Sequence, residues 1–432
     1  MMQGIRTTLK PLILETKDGE WGKGEAFEES VEMAVIRGTD FEDVRIGVTS
    51  DVPRRFIPVH IAARKTLRVN DIVIETAGGS KGKPTGRTFF IGPSTLGKFG
   101  VPATCASFSR FIRIDPRLAN PGYVFWMLQN LHSSGHMLAY HIQHTGVARF
   151  QYTTFSTSEE LLLPPRSIQD KIPDILFAYD DLVENNTRRI RILEEMAQTI
   201  YREWFTDFRF PGHQNVRMVN SSLGRVPHGW GIKKVSDFLE INPKCQFERG
   251  ERKFVPMACL STNSMLIDEA LMEDRVAAGG SKFQNGDTLF ARITPCLENG
   301  KTGFVQFIPS DSEVAIGSTE FIVLRSRNVC PEFVYLLART DEFRNHAIKS
   351  MSGATGRQRV QEACFGQLQV AEPPQSVVSA FRQIVKPMFQ MIYSLAKKNR
   401  LLRSTRDLLL PKLISGEVDI SKLDIDVGVS TA

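Results

Sequence analysis

The chain has 432 residues, room for two domains of ordinary size plus further helices, and a composition of 42% hydrophobic and 24% charged residues. That balance, without a low-complexity run or an apolar stretch of the ~18 residues a membrane span needs, excludes disordered and membrane-spanning classes. The net charge of +6 and pI near 8.9 are compatible with a nucleic-acid partner without demonstrating one. The six cysteines (Cys105, Cys245, Cys259, Cys296, Cys330, Cys364) include no CxxC pair. They read as reduced thiols of a cytoplasmic protein, as does a charge-rich start with no apolar signal core.

Residues 1–164 read as a first globular unit. Short apolar runs at Met33–Ile36, Arg55–Ile61 and Asp71–Ile74 are bounded by turn residues and read as strands, the last leading into a glycine-rich loop. Pro121 suits a first helical turn, so the segment from Pro121 reads as a helix.

Residues 165–208 read as one long helix. Spacings of 4 and 3 place Ile168, Ile172, Ile175, Tyr179, Leu182, Asn186, Arg189, Leu193, Met196 and Ile200 on one stripe, polar only at Asn186 and Arg189. That is the 3.5-residue period of a coiled-coil seam. Leu176, Val183 and Ile190 widen the stripe, so the helix packs against something besides its partner. Residues 209–372 hold a polar connection and a second globular unit that opens at Val226-Pro227-His228-Gly229-Trp230.

Residues 373–415 repeat the long helix 209 positions later, and residues 416–432 form a tail. Val377, Phe381, Ile384, Met388, Met391, Leu395, Lys398, Leu402, Thr405 and Leu409 repeat the stripe, with Lys398 at the polar break. Two such helices, separated by a whole domain, are expected to lie antiparallel with a globular unit at each end. The units repeat as well. Asp71-Ile72-Val73-Ile74 answers Asp287-Thr288-Leu289-Phe290, Pro121 answers Pro331, and Thr145–Phe155 answers Thr355–Phe365 with Thr, Gly, Arg, Gln and Phe in common.

In this order and spacing, several segments resemble the specificity subunit of type I restriction–modification systems. They are the helix opened by Leu163-Pro164-Pro165 and ending in MAQTIYREWFTDF, the VPHGW opening, Gly286–Lys301 (GDTLFARITPCLENGK), and the ending Leu408–Ile420 (LLLPKLISGEVDI). The resemblance covers nearly the whole chain. It implies an α+β fold, with two mixed α/β target-recognition domains joined by two long antiparallel coiled-coil helices in a pseudo-twofold internal repeat. It also implies a non-catalytic subunit that reads a two-part double-stranded DNA target. Its implied partners are two methyltransferase (modification) subunits and, through them, restriction/translocase subunits. S-adenosylmethionine, ATP and Mg are then expected on the partners, with no cofactor or metal on this chain. Pro387 departs from a straight second helix, because proline removes an internal hydrogen bond. The other reading of the same features is a coiled-coil scaffold whose globular ends bind proteins.

Motifs that suggest catalysis are incomplete. Lys81–Thr85 and Pro295–Thr302 half-resemble a phosphate-binding loop, but a proline follows Lys83 and a proline replaces the leading glycine of the second. His132, His136, His141 and His144 are spaced like ligands, yet the matching stretch of the second unit keeps only His346. The Pro-Pro pairs follow Leu163 and Glu372 rather than the Asn or Asp of an adenine-methylating motif.

DNA contact is expected from loop residues of the repeat. These are Lys81, Lys83, Thr85, Arg87, Arg149 and Gln151 in the first unit, and Arg292, Asn299, Lys301, Arg357, Arg359 and Gln361 in the second. Arginine pairs bidentately with guanine and glutamine with adenine, while lysine mostly neutralises phosphate. The shared Arg149 and Arg359 read equally well as structural residues. Tyr201, Trp204 and Phe205, with their counterparts Leu410 and Leu413, exceed what a two-helix seam needs, and this surplus is expected to dock the methyltransferase subunits.

Overall fold

The computed structural model describes residues 4–78, 84–143, 147–246, 250–276, 279–310, 313–354 and 356–423. The chain divides into two compact units: Met1–Arg188 with Lys398–Ala432, and Arg189–Lys397. Each unit therefore combines a globular domain, the start of the helix that follows it, and the end of the other helix.

In the first unit an antiparallel four-stranded sheet runs Ile13–Asp18, Ser109–Ile114, Ile72–Glu75, Thr88–Phe90. Beside it lies a three-stranded sheet, Arg54–Pro58, Ser30–Ile36, Ala103–Cys105, whose last pair is parallel. Of the expected strand Arg55–Ile61, only the first part is strand; the helix Val59–Lys65 takes over after Pro58. The helix Pro121–Ser133 starts on its proline as expected, with Asn120 accepting from the Tyr123 N–H. It seats Tyr123, Phe125 and Trp126 in the core together with Ile172 and Leu176 of the first long helix.

The second unit has the same kind of architecture. An antiparallel sheet runs Leu239–Ile241, Phe321–Ser326, Thr288–Ala291, Thr302–Phe304. A second sheet runs Glu273–Val276, Glu251–Val255, Ala315–Gly317, Ser281–Phe283, again with one parallel pair.

One turn recurs in detail. Asp71 accepts from the Arg68 N–H at 2.7 Å and from Nε and Nη2 of Arg113, both at 2.8 Å, while Nη1 of Arg113 goes to Glu15. Asp287 accepts from the Gln284 N–H at 2.8 Å and holds Arg325 at 2.7 and 2.6 Å. Asn70 and Gly286, each just before its aspartate, both adopt positive φ. The aligned aspartates in the sequence are thus clamps, almost wholly buried.

The long helices are Arg166–Tyr201, followed by a π-helical turn Arg202–Thr206, and Gln375–Ser415. The second runs unbroken through Pro387, and the first carries an internal proline of its own at Pro173. Within the first unit they run antiparallel. Asn186 donates to Asn399 at 2.9 Å, and Asn399 donates to Thr187 Oγ1 and the Val183 carbonyl; about two turns further along, Asp180 meets Arg406. A polar seam pair of this kind fixes helix register, because a slipped alignment leaves a buried amide unpaired.

Half of the expected stripe holds, with Ile172, Phe381 and Leu395 buried and Asn186 in the seam bond, and the other half is displaced by one residue. Leu176, Val183, Ile190 and Ala197 are buried, whereas Leu182, Arg189 and Met196 are exposed. Likewise Val378, Val385 and Ile392 are buried while Ile384, Met391 and Lys398 are exposed. Both stripes are apolar, and one residue is 100° of helix. Each helix must also cover its unit's sheet-and-helix core, which draws the neighbouring stripe inward.

Glu194 ties the first long helix to its own unit. It is buried and accepts from the Met265 N–H at 2.7 Å and the Ser264 hydroxyl at 2.8 Å. Burial raises its carboxyl above the ordinary 4.5. A raised folded value means that the stability from this group is present below 4.5 and is lost as pH rises through the raised value. Glu194→Gln, which keeps the acceptor oxygen without the charge, is expected to stabilise the protein at pH 7 by on the order of 1 kcal/mol. The gain should vanish in denaturant titrations below pH 4.5; a gain that persists there contradicts the assignment.

Candidate nucleic-acid interface

Each unit brings together the two segments that the sequence marked separately. In the first, the Phe150 N–H bonds to the Thr76 carbonyl at 2.8 Å, and Arg149 pairs with Ala77 across a short ladder. In the second, the Val360 N–H bonds to the Arg292 carbonyl at 2.9 Å, and Arg359 bridges Ile293. The loop after a core strand thus lies beside the Arg…Gln segment in both. Thr145, Gly146 and Thr355 of that segment lie outside the described residues, as do Lys81 and Lys83.

Several expected contact residues have structural duties. Thr85 is fully buried, with its N–H and hydroxyl against His141 Nδ1, and offers nothing to DNA. Arg87 closes both arms on the buried Glu75, at 3.0 and 2.7 Å. Arg292 bonds to Glu362 at 3.1 Å and to the Val360 carbonyl at 3.4 Å. Lys301 donates to the Met257 carbonyl at 3.1 Å. Arg359 holds Glu320 through Nε and Nη2, the latter at 2.6 Å, and these bonds keep the Glu320 carboxyl below its ordinary value. Gln361 donates to Ser352 at 2.6 Å.

What remains exposed without a side-chain partner among the described residues is Arg149 and Gln151 in the first unit, and Asn299 and Arg357 in the second. Sequence reasoning missed Phe108, 59% exposed, whose carbonyl accepts from Thr76 and Ala77 next to Arg149. An exposed aromatic between Ser107 and a strand has no periodicity to flag it.

The loop that half-resembled a phosphate cradle is a tight turn that uses its own donors. The N–H groups of Leu297, Asn299, Gly300 and Lys301 bond to carbonyls from Ile293 to Leu297. The histidines do not converge: His132 faces the Pro84 carbonyl, His136 bonds to Ser134, and His141 serves Thr85, while His144 lies outside the described residues. Among the described residues no three His, Cys, Asp or Glu side chains group as metal ligands.

The expected docking aromatics need correcting. Trp204 and Tyr201 are buried, and Phe205 packs against Phe333 and Phe381, both with ring centroids at 4.8 Å, and against Trp230. Leu410 and Leu413 sit in the core of the first unit. This surface is consumed within each unit, because the helix ends must close their own domains. The apolar side chains the helices leave exposed are others: Leu182, Leu401 and Leu408 in the first unit, Ile192, Met196, Ile384 and Met391 in the second.

No protein-family model matches the chain. Curated homologues are type I restriction enzyme specificity subunits. The MjaIX subunit of Methanocaldococcus jannaschii is 26% identical over 65% of this chain and 66% of its own length, just under two thirds. The HindI subunit of Haemophilus influenzae is 22% identical over 72% of this chain and 80% of its own. Among solved structures, the S subunit of a type I restriction–modification system from M. genitalium shares the fold, with a TM-score of 0.55 at 12% identity over 95% of this chain and 96% of that one. No helix among the described residues is long and apolar enough to cross a membrane.

Proposed function

We propose that the chain is the DNA-specificity subunit of a type I restriction–modification complex. It reads a two-part DNA target, carries methyltransferase subunits to it, and performs no chemistry itself. The observation that carries this reading is the pair of equivalent surfaces, one per unit, built on matching backbone and leaving different side chains without a partner. Arg149 and Gln151 stand on one, Asn299 and Arg357 on the other. Two different half-targets call for a shared frame with divergent tips, since base edges specify sequence while the frame positions. Similarity to specificity subunits supports the same reading. With the aromatic cluster committed to the cores, docking of the methyltransferases falls to the apolar side chains left exposed on the helices.

The test uses the assembled complex. Binding to genomic fragments is expected to be specific and to weaken steeply between about 50 and 200 mM salt, as counterions released by phosphate contacts require. Mapping methylated adenines in cells with and without the chain should reveal a two-part motif that disappears without it. Salt-independent binding, or methylation unchanged by removing the chain, would instead mark a protein-binding scaffold.

A further inference from the structure

We infer that Phe108 and Arg149 together contact base edges in the half-target read by the first unit, and that the same place in the second unit is silent. The inference rests on the DNA-reading function proposed above. It comes from a site-by-site equivalence of backbones. The Thr76 N–H bonds to the Phe108 carbonyl at 2.8 Å, and the Arg292 N–H bonds to the Glu320 carbonyl at 3.0 Å. Glu75 pairs with Ser109 in the core sheet, as Ala291 pairs with Phe321. Phe150 and Val360 make the corresponding bonds to Thr76 and Arg292. Phe108 therefore occupies the place of Glu320, and Arg149 the place of Arg359.

In the second unit the two side chains at these places touch: Arg359 grips Glu320 in a two-armed ion pair. Side chains at the two places are thus within reach of each other. In the first unit the acid is replaced by an exposed phenyl ring. Arg149 is left exposed, with no ion-pair or hydrogen-bond partner for its guanidinium among the described residues. A guanidinium without a counter-charge, within reach of an unburied aromatic ring, is an arrangement suited to a base pair. The guanidinium can fork onto guanine O6 and N7, and the ring can lie on a thymine methyl. Gln151, exposed on the same segment, extends this edge. In the second unit Glu320 neutralises the equivalent arginine, which leaves Asn299 and Arg357 as that unit's exposed polar tips.

The decisive variant is Phe108→Glu, which installs the second unit's residue on a backbone already shown to accept it. It is expected to capture Arg149 in an ion pair and to lower discrimination at one or two adjacent positions of one half-target by on the order of tenfold. Arg149→Ala should relax the same positions, and the other half of the motif should be unchanged for both. The readout is methylome sequencing together with competition binding by the assembled complex, with melting curves confirming that each variant is folded. If folded variants leave every position of the motif unchanged while the unmodified complex binds specifically, the pair assignment is overturned and DNA reading stands. A uniform loss over all sequences also overturns it, by reducing both residues to backbone contacts. If the unmodified complex shows no sequence-specific binding, the DNA-reading function itself fails, and this inference with it.

Discussion

Trp204→Ala combined with Phe205→Ala is expected to unfold much of the second unit rather than release a partner from an intact surface. Trp204 is 7% exposed and faces Phe381 at 5.9 Å, while Phe205 bridges Phe333, Phe381 and Trp230. These rings close the end of the first long helix onto the start of the second within one unit. Truncating a buried Phe or Trp to Ala costs about 3–5 kcal/mol, through lost transfer energy and the cavity left behind. Because the two share Phe381, their costs will not simply add, but even one approaches the whole stability of a marginal domain, roughly 5–15 kcal/mol. The measurement is a denaturant titration followed by tryptophan-independent far-ultraviolet dichroism. A midpoint equal to that of the parent protein would return these residues to the surface.

Asp287→Ala is expected to be nearly as damaging, for an electrostatic reason. Asp287 is 1% exposed, and its carboxylate satisfies both an arginine fork and a turn N–H. Removing it leaves Arg325 half-buried without its counter-charge, a loss of about 3–5 kcal/mol for a buried pair broken on one side. The double variant Asp287→Leu with Arg325→Met removes both charges and should recover most of that loss, since apolar replacement of a whole buried pair is often neutral. Asp71→Ala should cost less, because Arg113 keeps the Glu15 carboxylate as a second counter-charge. A double-mutant cycle in urea decides this; single and double variants of equal stability would show that the pair contributes nothing.

Parts of this architecture were legible in the sequence because they rest on local rules. Proline at the first helical turn marked the helix from Pro121, and the aligned aspartates marked a recurrent strand entrance. The recurrence of Thr, Gly, Arg, Gln and Phe pointed to a backbone frame, and Arg149 and Arg359 do sit at equivalent places in it. Periodicity locates only half of the seam, because it reports every apolar stripe, not which neighbour will cover it. Charge was the poorest guide. Arg87 and Arg292 look like any loop arginine, because the acids that hold them, Glu75 and Glu362, stand at no fixed spacing from them, 12 and 70 residues away. Phe108 carries no sequence signal, since its place is shared with an acid, Glu320, in the other unit.

The division of the long helices between units has a consequence for biosynthesis. Leu410, Leu413 and Ile420 complete the core of the first unit, and Lys171 anchors that late segment by donating to the Ser421 and Leu423 carbonyls at 3.0 and 2.8 Å. Leu410, Leu413 and the segment that Lys171 holds leave the ribosome after the whole of the second unit, Arg189–Lys397, has been made. The N-terminal domain must therefore wait, with the seat for these leucines bare, while the domain synthesised after it already has every residue it needs. At about 5–20 residues per second the roughly 210-residue delay lasts some tens of seconds.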